Sequence, residues 1–354
     1  MELTFNIIFV PGTVRYLRLA TSTLLDCSSY RYRLISNGLG LQEMSLLEEF
    51  CRRGRLEYCA YPTKTTVSHG TLLSWLLQRE RGDYFCFMDS DIFASAPFGN
   101  ELEGHLAHCD IFSSCSHLGI DPTKQLTGLE GRCLRAPNGF PLATTFFCVS
   151  KSQALRDLIA ETGVGFERYS YPQHFPGPVK ERLRQVGLPA DCEYDTGKLL
   201  SVLAHARGLR LKYEPLDGLS HIGGIGKYIM KSARRGLWKQ RLGHIMQRPL
   251  VLRDKDLEPS TWRRFKLRSL AHTHDDADPL NTWKDARQAK LQRRYVALFF
   301  AAFLRFLFDG DPQPVLAISD QALALRINTL CNVIRRAFYS EFEKTTPQDL
   351  AQTG

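Results

Sequence analysis

The chain has 354 residues, 44% hydrophobic and 23% charged, with a formal charge of +9. These fractions are ordinary for a globular protein and exclude a chain without a core. Ten cysteines are present, none in C-x-x-C spacing, which argues against a zinc site.

The first ninety residues alternate strand and helix signals. Residues 5–10 read as a strand stopped by Pro11-Gly12-Thr13, and 14–25 carry helical apolar spacing. Residues 30–36 form a second strand ending at Asn37-Gly38, followed by a helix over 42–53. A third strand is expected at 56–61 and a third helix at 68–81, capped by Ser68, with Leu72, Leu73, Leu76 and Leu77 on its apolar face. The fourth strand is Tyr84-Phe85-Cys86-Phe87-Met88, ending in Asp89-Ser90-Asp91. This βαβαβαβ pattern predicts a doubly wound, mostly parallel α/β sheet with helices on both faces.

Residues 116–141 read as a long excursion rich in Gly, Pro and polar side chains. A strand is expected at 142–150, a helix at 151–162, and an irregular acceptor-side loop at 163–189. A helix over 195–207 and a strand at 209–213 follow. The catalytic part is placed at 1–232, and 233–354 is read as a basic, mostly helical extension. Between Lys227 and Arg294 there are 18 Lys or Arg against 7 Asp or Glu. Such a segment suits docking to an acceptor, a partner or an anionic membrane. It lacks the aromatic interleaving of a nucleic-acid stacking platform. The apolar run from Tyr295 to Phe308 contains Arg305 and is shorter than the roughly 20 residues of a bilayer span, so it reads as a buried helix. The N-terminus shows no signal-peptide pattern, and with free cysteines this favours a cytoplasmic protein, possible membrane contact being peripheral.

Two carboxylates one residue apart, at the end of an apolar strand, are costly near a core unless a cation is bound. Alternation along the backbone puts Asp89 and Asp91 on one side, so both can address one ligand. Asp-x-Asp is common by chance; its place after the fourth strand gives it weight. No glycine-rich phosphate loop follows the first strand, so a bound nucleotide would be held by metal and side chains.

In this D-x-D the chain resembles glycosyltransferases of the GT-A fold. A second motif, His221-Ile222-Gly223-Gly224-Ile225-Gly226-Lys227, contains H-x-x-G-x-x-K and is similar to the donor motif of glycosyltransferase family 8; Tyr228-Ile229 stands where that family has Pro-Trp. The resemblance covers about the first 230 residues and implies a manganese or magnesium ion held by Asp89, Asp91 and His221. It also implies that Gly224 and Lys227 contact the donor diphosphate, with Asp89 shared between metal and ribose and Ser90 among the residues that bind the donor. Pro11, Gly12, Thr13 and Asn37 fall where such enzymes hold base and ribose. His69 opens the third helix, where an anion is favoured. Asp195 is the first choice for the acidic residue near the sugar, with Asp191 and Glu193 behind it, and Thr144 to Phe147 are expected to line the sugar pocket. The expected activity is metal-dependent transfer from a nucleotide-sugar, a UDP-sugar foremost, to a saccharide, lipid-linked or protein acceptor in cell-surface polysaccharide or glycoconjugate synthesis. An inactive scaffold of the same fold and a sugar nucleotidyltransferase are the alternatives.

Overall fold

The computed structural model describes residues 1–114, 117–118, 127–129, 133, 135–169, 175–190, 192–229, 251–252 and 279–343. The first half follows the sequence pattern: β1 (Thr4–Phe9), α1 (Val14–Cys27), β2 (Arg31–Ser36), α2 (Leu41–Gly54), β3 (Glu57–Ala60), α3 (His69–Arg79) and β4 (Tyr84–Asp89). Ser68 caps α3 as expected, its hydroxyl accepting from the Thr71 amide at 3.2 Å. Then come β5 (Ile92–Ala94), α4 (Gly99–Leu106), β6 (Ile111–Ser113), β7 (Phe147–Lys151) and α5 (Ser152–Thr162). The chain continues through α6 (Gly177–Gln185), α7 (Lys198–Ala206), β8 (Leu211–Tyr213) and β9 (Leu219–His221). Beyond a short pairing of β10 (Val251–Leu252) with β11 (Val315–Leu316) lie two long helices, α8 (Pro279–Asp309) and α9 (Gln321–Glu343).

The central sheet has seven strands in the order β3-β2-β1-β4-β7-β6-β8. Strands β1 to β4 pair in parallel, and so do β6 and β8; β7 runs antiparallel to both β4 and β6. The fold is therefore mixed α/β with a mostly parallel sheet. Pleating divides its core in two. Phe5, Ile7, Phe9, Cys86 and Met88 join one cluster with α1, α2, α8 and α9; Ile8, Phe85 and Phe87 join the other with α3, α5, α6 and α7. Strand β4 lies between β1 and β7, with Asp89 opposite Ile8 at its C-terminal end. That edge is where open α/β sheets bind ligands.

Three expected elements differ. The strand expected over 142–150 begins only at Phe147, because the Thr144 hydroxyl donates to the Phe147 carbonyl at 3.0 Å and turns the preceding chain away from the ladder. The expected loop over 163–189 contains α6, whose Val179 and Leu183 are buried. Helix α7 starts at Lys198 rather than at 195, since Gly197 takes a φ of 72° that breaks the helical run just before it. The tyrosine-to-phenylalanine run 295–308 is helical in α8, with Val296, Phe300 and Leu304 fully buried. No helix among the described residues is long and apolar enough to cross a membrane.

Candidate metal and donor site

At the end of β4 the chain turns through Ser90 and enters β5, which pairs antiparallel with β9 and sets Ile92 opposite His221. This short pairing brings His221 to the carboxylates. Its Nε2 lies 3.1 Å from Asp91 Oδ1 and 3.6 Å from Asp89 Oδ2. Asp91 and His221 are buried, whereas the Asp89 side chain is 34% exposed, so the cluster opens to solvent on the Asp89 side. One oxygen atom from each carboxylate and one ring nitrogen all lie within 4.8 Å of one another.

The electrostatics follow from this packing. Burial opposes a charge on His221, but the Asp91 and Asp89 carboxylates override it and raise its pKa to about 9. Burial likewise opposes the charge on Asp91. The His221 imidazolium, together with the Ile225 amide donating to Asp91 Oδ2 at 3.3 Å, holds that carboxyl below its usual range. Both ring nitrogens of His221 are buried; Nε2 faces the two carboxylates, and Nδ1 has no hydrogen-bond partner among the described residues. Two carboxylates converging on one buried imidazole nitrogen form a donor set that fits a hard or borderline divalent ion.

The imidazole is held on two sides. The Phe146 ring stacks on it at 4.6 Å between centroids, and the His117 ring meets it edge-on at 4.8 Å. Phe146 is tied to the motif as well, its carbonyl accepting from the Asp89 amide at 2.8 Å. His117 forms a bridge with His221, and the Leu118 amide donates to the His221 carbonyl at 3.0 Å. Burial keeps His117 neutral, well below the usual histidine range; the charge of His221, then Arg293 of α8 and Arg326 of α9, push it the same way. No sequence pattern points to His117, which lies in an irregular excursion without periodicity.

Other expected residues divide into groups. Gly226 meets Thr13, since a Cβ there would lie 3.2 Å from its methyl group, so the turn after β1 abuts the glycine loop. In that turn the Gly12 amide donates to both Glu43 carboxylate oxygens at 2.9 Å, an acidic partner the sequence reading did not single out. Thr13 is buried, its hydroxyl donating to the Val10 carbonyl at 2.6 Å. The Asn37 amide is engaged on both sides, donating to the Val67 carbonyl at 3.1 Å and accepting from the Val67 amide at 2.9 Å. This clamp leads into His69, half-buried at the start of α3. Gly70 packs so closely on Phe166 that a Cβ would lie 2.5 Å from its carbonyl oxygen. The same carbonyl accepts from the Gly197 amide at 2.9 Å, which joins the start of α3 to the Asp195 segment. Asp195 is half-buried, and its Oδ1 accepts from the Thr196 amide at 2.8 Å. Gly224 is exposed at the bend and Lys227 is exposed in the helical residues 225–229 that follow it, and Ser90 is buried in the turn between the carboxylates. Glu193 is exposed and pairs with Arg168; Asp191 lies outside the described residues, as does most of the basic segment 227–294.

No protein-family model and no curated protein matches this sequence. Solved structures similar to it include S. aureus TarS 1–349, at 12% identity over 95% of this chain and 90% of that one, with a TM-score of 0.40. A second is the mannosyltransferase PcManGT from Pyrobaculum calidifontis in complex with GDP-Man and Mn2+, at 12% identity, covering 97% of this chain and 88% of that one, with a TM-score of 0.40. A third is GalNAc-T7 with UDP, GalNAc and Mn2+, at 8% identity over 62% of this chain and 43% of that one, again with a TM-score of 0.40.

Proposed function

We propose that this protein is a metal-dependent glycosyltransferase of the GT-A type, moving a sugar from a nucleotide-sugar to an acceptor hydroxyl. A UDP-sugar is the expected donor, and cell-surface polysaccharide or glycoconjugate synthesis the expected setting. The observation that carries the reading is the cluster of Asp89, Asp91 and His221 at the ligand-binding edge of the sheet, one ligand atom from each lying within 4.8 Å of the others. The H-x-x-G-x-x-K spacing supports a family 8-like donor loop.

A bound Mn2+ or Mg2+ would neutralise the diphosphate as it leaves. The chain's own residues do the rest. Asp91 and His221, buried and fixed, would hold that ion, and Asp89, more open, would be shared between it and the donor's ribose. The bend through Gly223 and Gly224, with φ values of 73° and 77°, turns the backbone so that the exposed Lys227 supplies a positive charge to the phosphates. Pro11 and Gly12, the more open part of the turn after β1, meet the base end of the donor and His69 its phosphates, with Thr13 buried behind the turn. Asp195 accepts the acceptor's proton or stabilises charge on the sugar. Residues 1–232 are assigned to catalysis and 233–354 to acceptor, partner or anionic-membrane docking.

The test is thermal unfolding with Mn2+ and UDP or GDP, in wild type and Asp91→Asn. A ligand at one hundred times its Kd stabilises by about 2.7 kcal/mol. Wild type should gain melting temperature with one diphosphate; the variant, whose ligand-free melting temperature falls with loss of the Asp91–His221 pair, should still unfold cooperatively but show no gain and no transfer activity. Identical responses in both proteins would refute the metal site. No response in either, with any common nucleoside diphosphate, would favour an inactive scaffold.

A further inference from the structure

We propose that His117 is a positioning residue that fixes the angle of the His221 imidazole, and that position 223 is glycine because His117 occupies the space a side chain would need. The proposal rests on the metal-site reading above. Three independent contacts converge on it. The His117 ring meets the His221 ring at 4.8 Å and 69°. The backbones are joined on the same side, through the bridge between the two histidines and the Leu118 amide on the His221 carbonyl at 3.0 Å. A Cβ built on Gly223 would lie 2.2 Å from His117 Nε2, a distance no real pair of atoms tolerates. Gly224, with nearly the same φ, has nothing within 4 Å of such a Cβ. The two glycines therefore do different work: Gly224 needs only its backbone freedom, whereas Gly223 also needs to be empty. Phe146 also stacks on the imidazole, at 4.6 Å and 25°, so two rings packed against it restrict its rotation away from Asp89 and Asp91. His117 itself is not among the atoms that converge on one ion position.

The test uses the full-length chain and Mn2+ alone, read by the electron paramagnetic resonance of free and bound ion and by melting temperature without metal. His117→Ala should bind Mn2+ roughly tenfold more weakly, as loss of ligand-orienting neighbours does. Its bound-ion spectrum should broaden, because the imidazole samples more than one angle. Gly223→Ala should lose more affinity and more melting temperature than Gly224→Ala. Combining Gly223→Ala with His117→Ala should recover part of the melting temperature lost by Gly223→Ala, a coupling that distant, independent sites do not show. Wild-type affinity and spectrum in His117→Ala, or equal effects of the two glycine variants with no recovery in the double variant, would overturn the proposal. Failure of the wild-type protein to bind Mn2+ would overturn the metal reading and this role with it; the melting-temperature coupling, which needs no metal, separates that failure from failure of the packing relation.

Discussion

His221 is the residue on which proton and metal compete. Its pKa of about 9 in the metal-free fold lies above the ordinary histidine value of about 6.5. A raised folded pKa means the Asp91–His221 attraction contributes fully below about 6.5 and is lost as pH rises through about 9. Metal-free protein should therefore become less stable across that window, and a series of melting temperatures checks it. Metal needs the neutral ring, so binding must expel the proton. We expect Mn2+ affinity to climb with pH up to about 9. Calorimetric titration in buffers of different ionisation enthalpy should show one proton released per ion near neutral pH. A proton count of zero would mean that His221 is not a ligand. The carboxylates were legible because an apolar strand leads into them, and His221 because of its spacing to Gly224 and Lys227. His117 and Glu43 were not, since each acts through a contact between segments that no local pattern encodes.

Among the elements, the edge of the sheet is held by side chains reaching into loops. Asn37, at the end of β2, satisfies both backbone groups of Val67 and sets the entry to α3. Asn37→Ala leaves those groups without their protein partner and should destabilise by about 1–3 kcal/mol. Faster hydrogen exchange at the Val67 amide is the local readout. Lys198, buried in the first turn of α7, donates to the Cys133 carbonyl at 2.6 Å and the Ala143 carbonyl at 3.1 Å. Lys198→Met keeps the volume but removes the donors, and should lower stability by roughly 1.5–3 kcal/mol, the range for bonds to charged groups. Protease cleavage within 127–146 should rise with it. The first four strands and three helices were legible to within a residue or two because their apolar positions repeat with a clear period. Strands β5 and β9 have three residues each, too few to show alternation, although their pairing assembles the site. The reversed direction of β7 was hidden too, since a strand reads alike either way. Helix α6 opens with Gly177 and Pro178, residues that signal a loop when no packing is in view.

At the scale of the molecule, sequence character changes near residue 232, but the apolar core runs across that point. Val296, Phe300, Leu304, Ile327 and Ile334 share one cluster with Leu17 and Ala20 of α1, and with Ile222 and Ile225 of the glycine loop. Ion pairs fasten the same contact: Arg18 to Glu341 at 2.8 Å, both side chains about one-tenth exposed, and Arg15 to Asp309 at 3.2 Å. Burial holds the Arg18 pKa below its usual value, so this guanidinium depends on its carboxylate partner. Glu341→Gln should therefore destabilise the whole protein by about 3–5 kcal/mol, as breaking one side of a buried pair does. A single unfolding transition that moves as a unit is the expected signature. Deletion of residues 279–354 should expose the apolar face of α1 and yield aggregated protein rather than a trimmed enzyme, which size-exclusion chromatography would show. The helix from 295 to 308 was legible as buried from its composition; that it covers α1 was not, because amphipathic helices do not name their partners.

The pairing of β5 with β9 carries a consequence for the chain's birth. Asp91 and His221 are about 130 residues apart in sequence, and a ribosome adding roughly 5–20 residues per second covers such a stretch in several seconds to half a minute. During that interval the two carboxylates emerge with no imidazole to answer them, beside a half-built sheet. The first strands can assemble, yet the cluster still lacks its third member. Completion of the three-residue cluster is in this sense a late event in biogenesis, and a chain that stalls before residue 221 carries the two carboxylates without their imidazole.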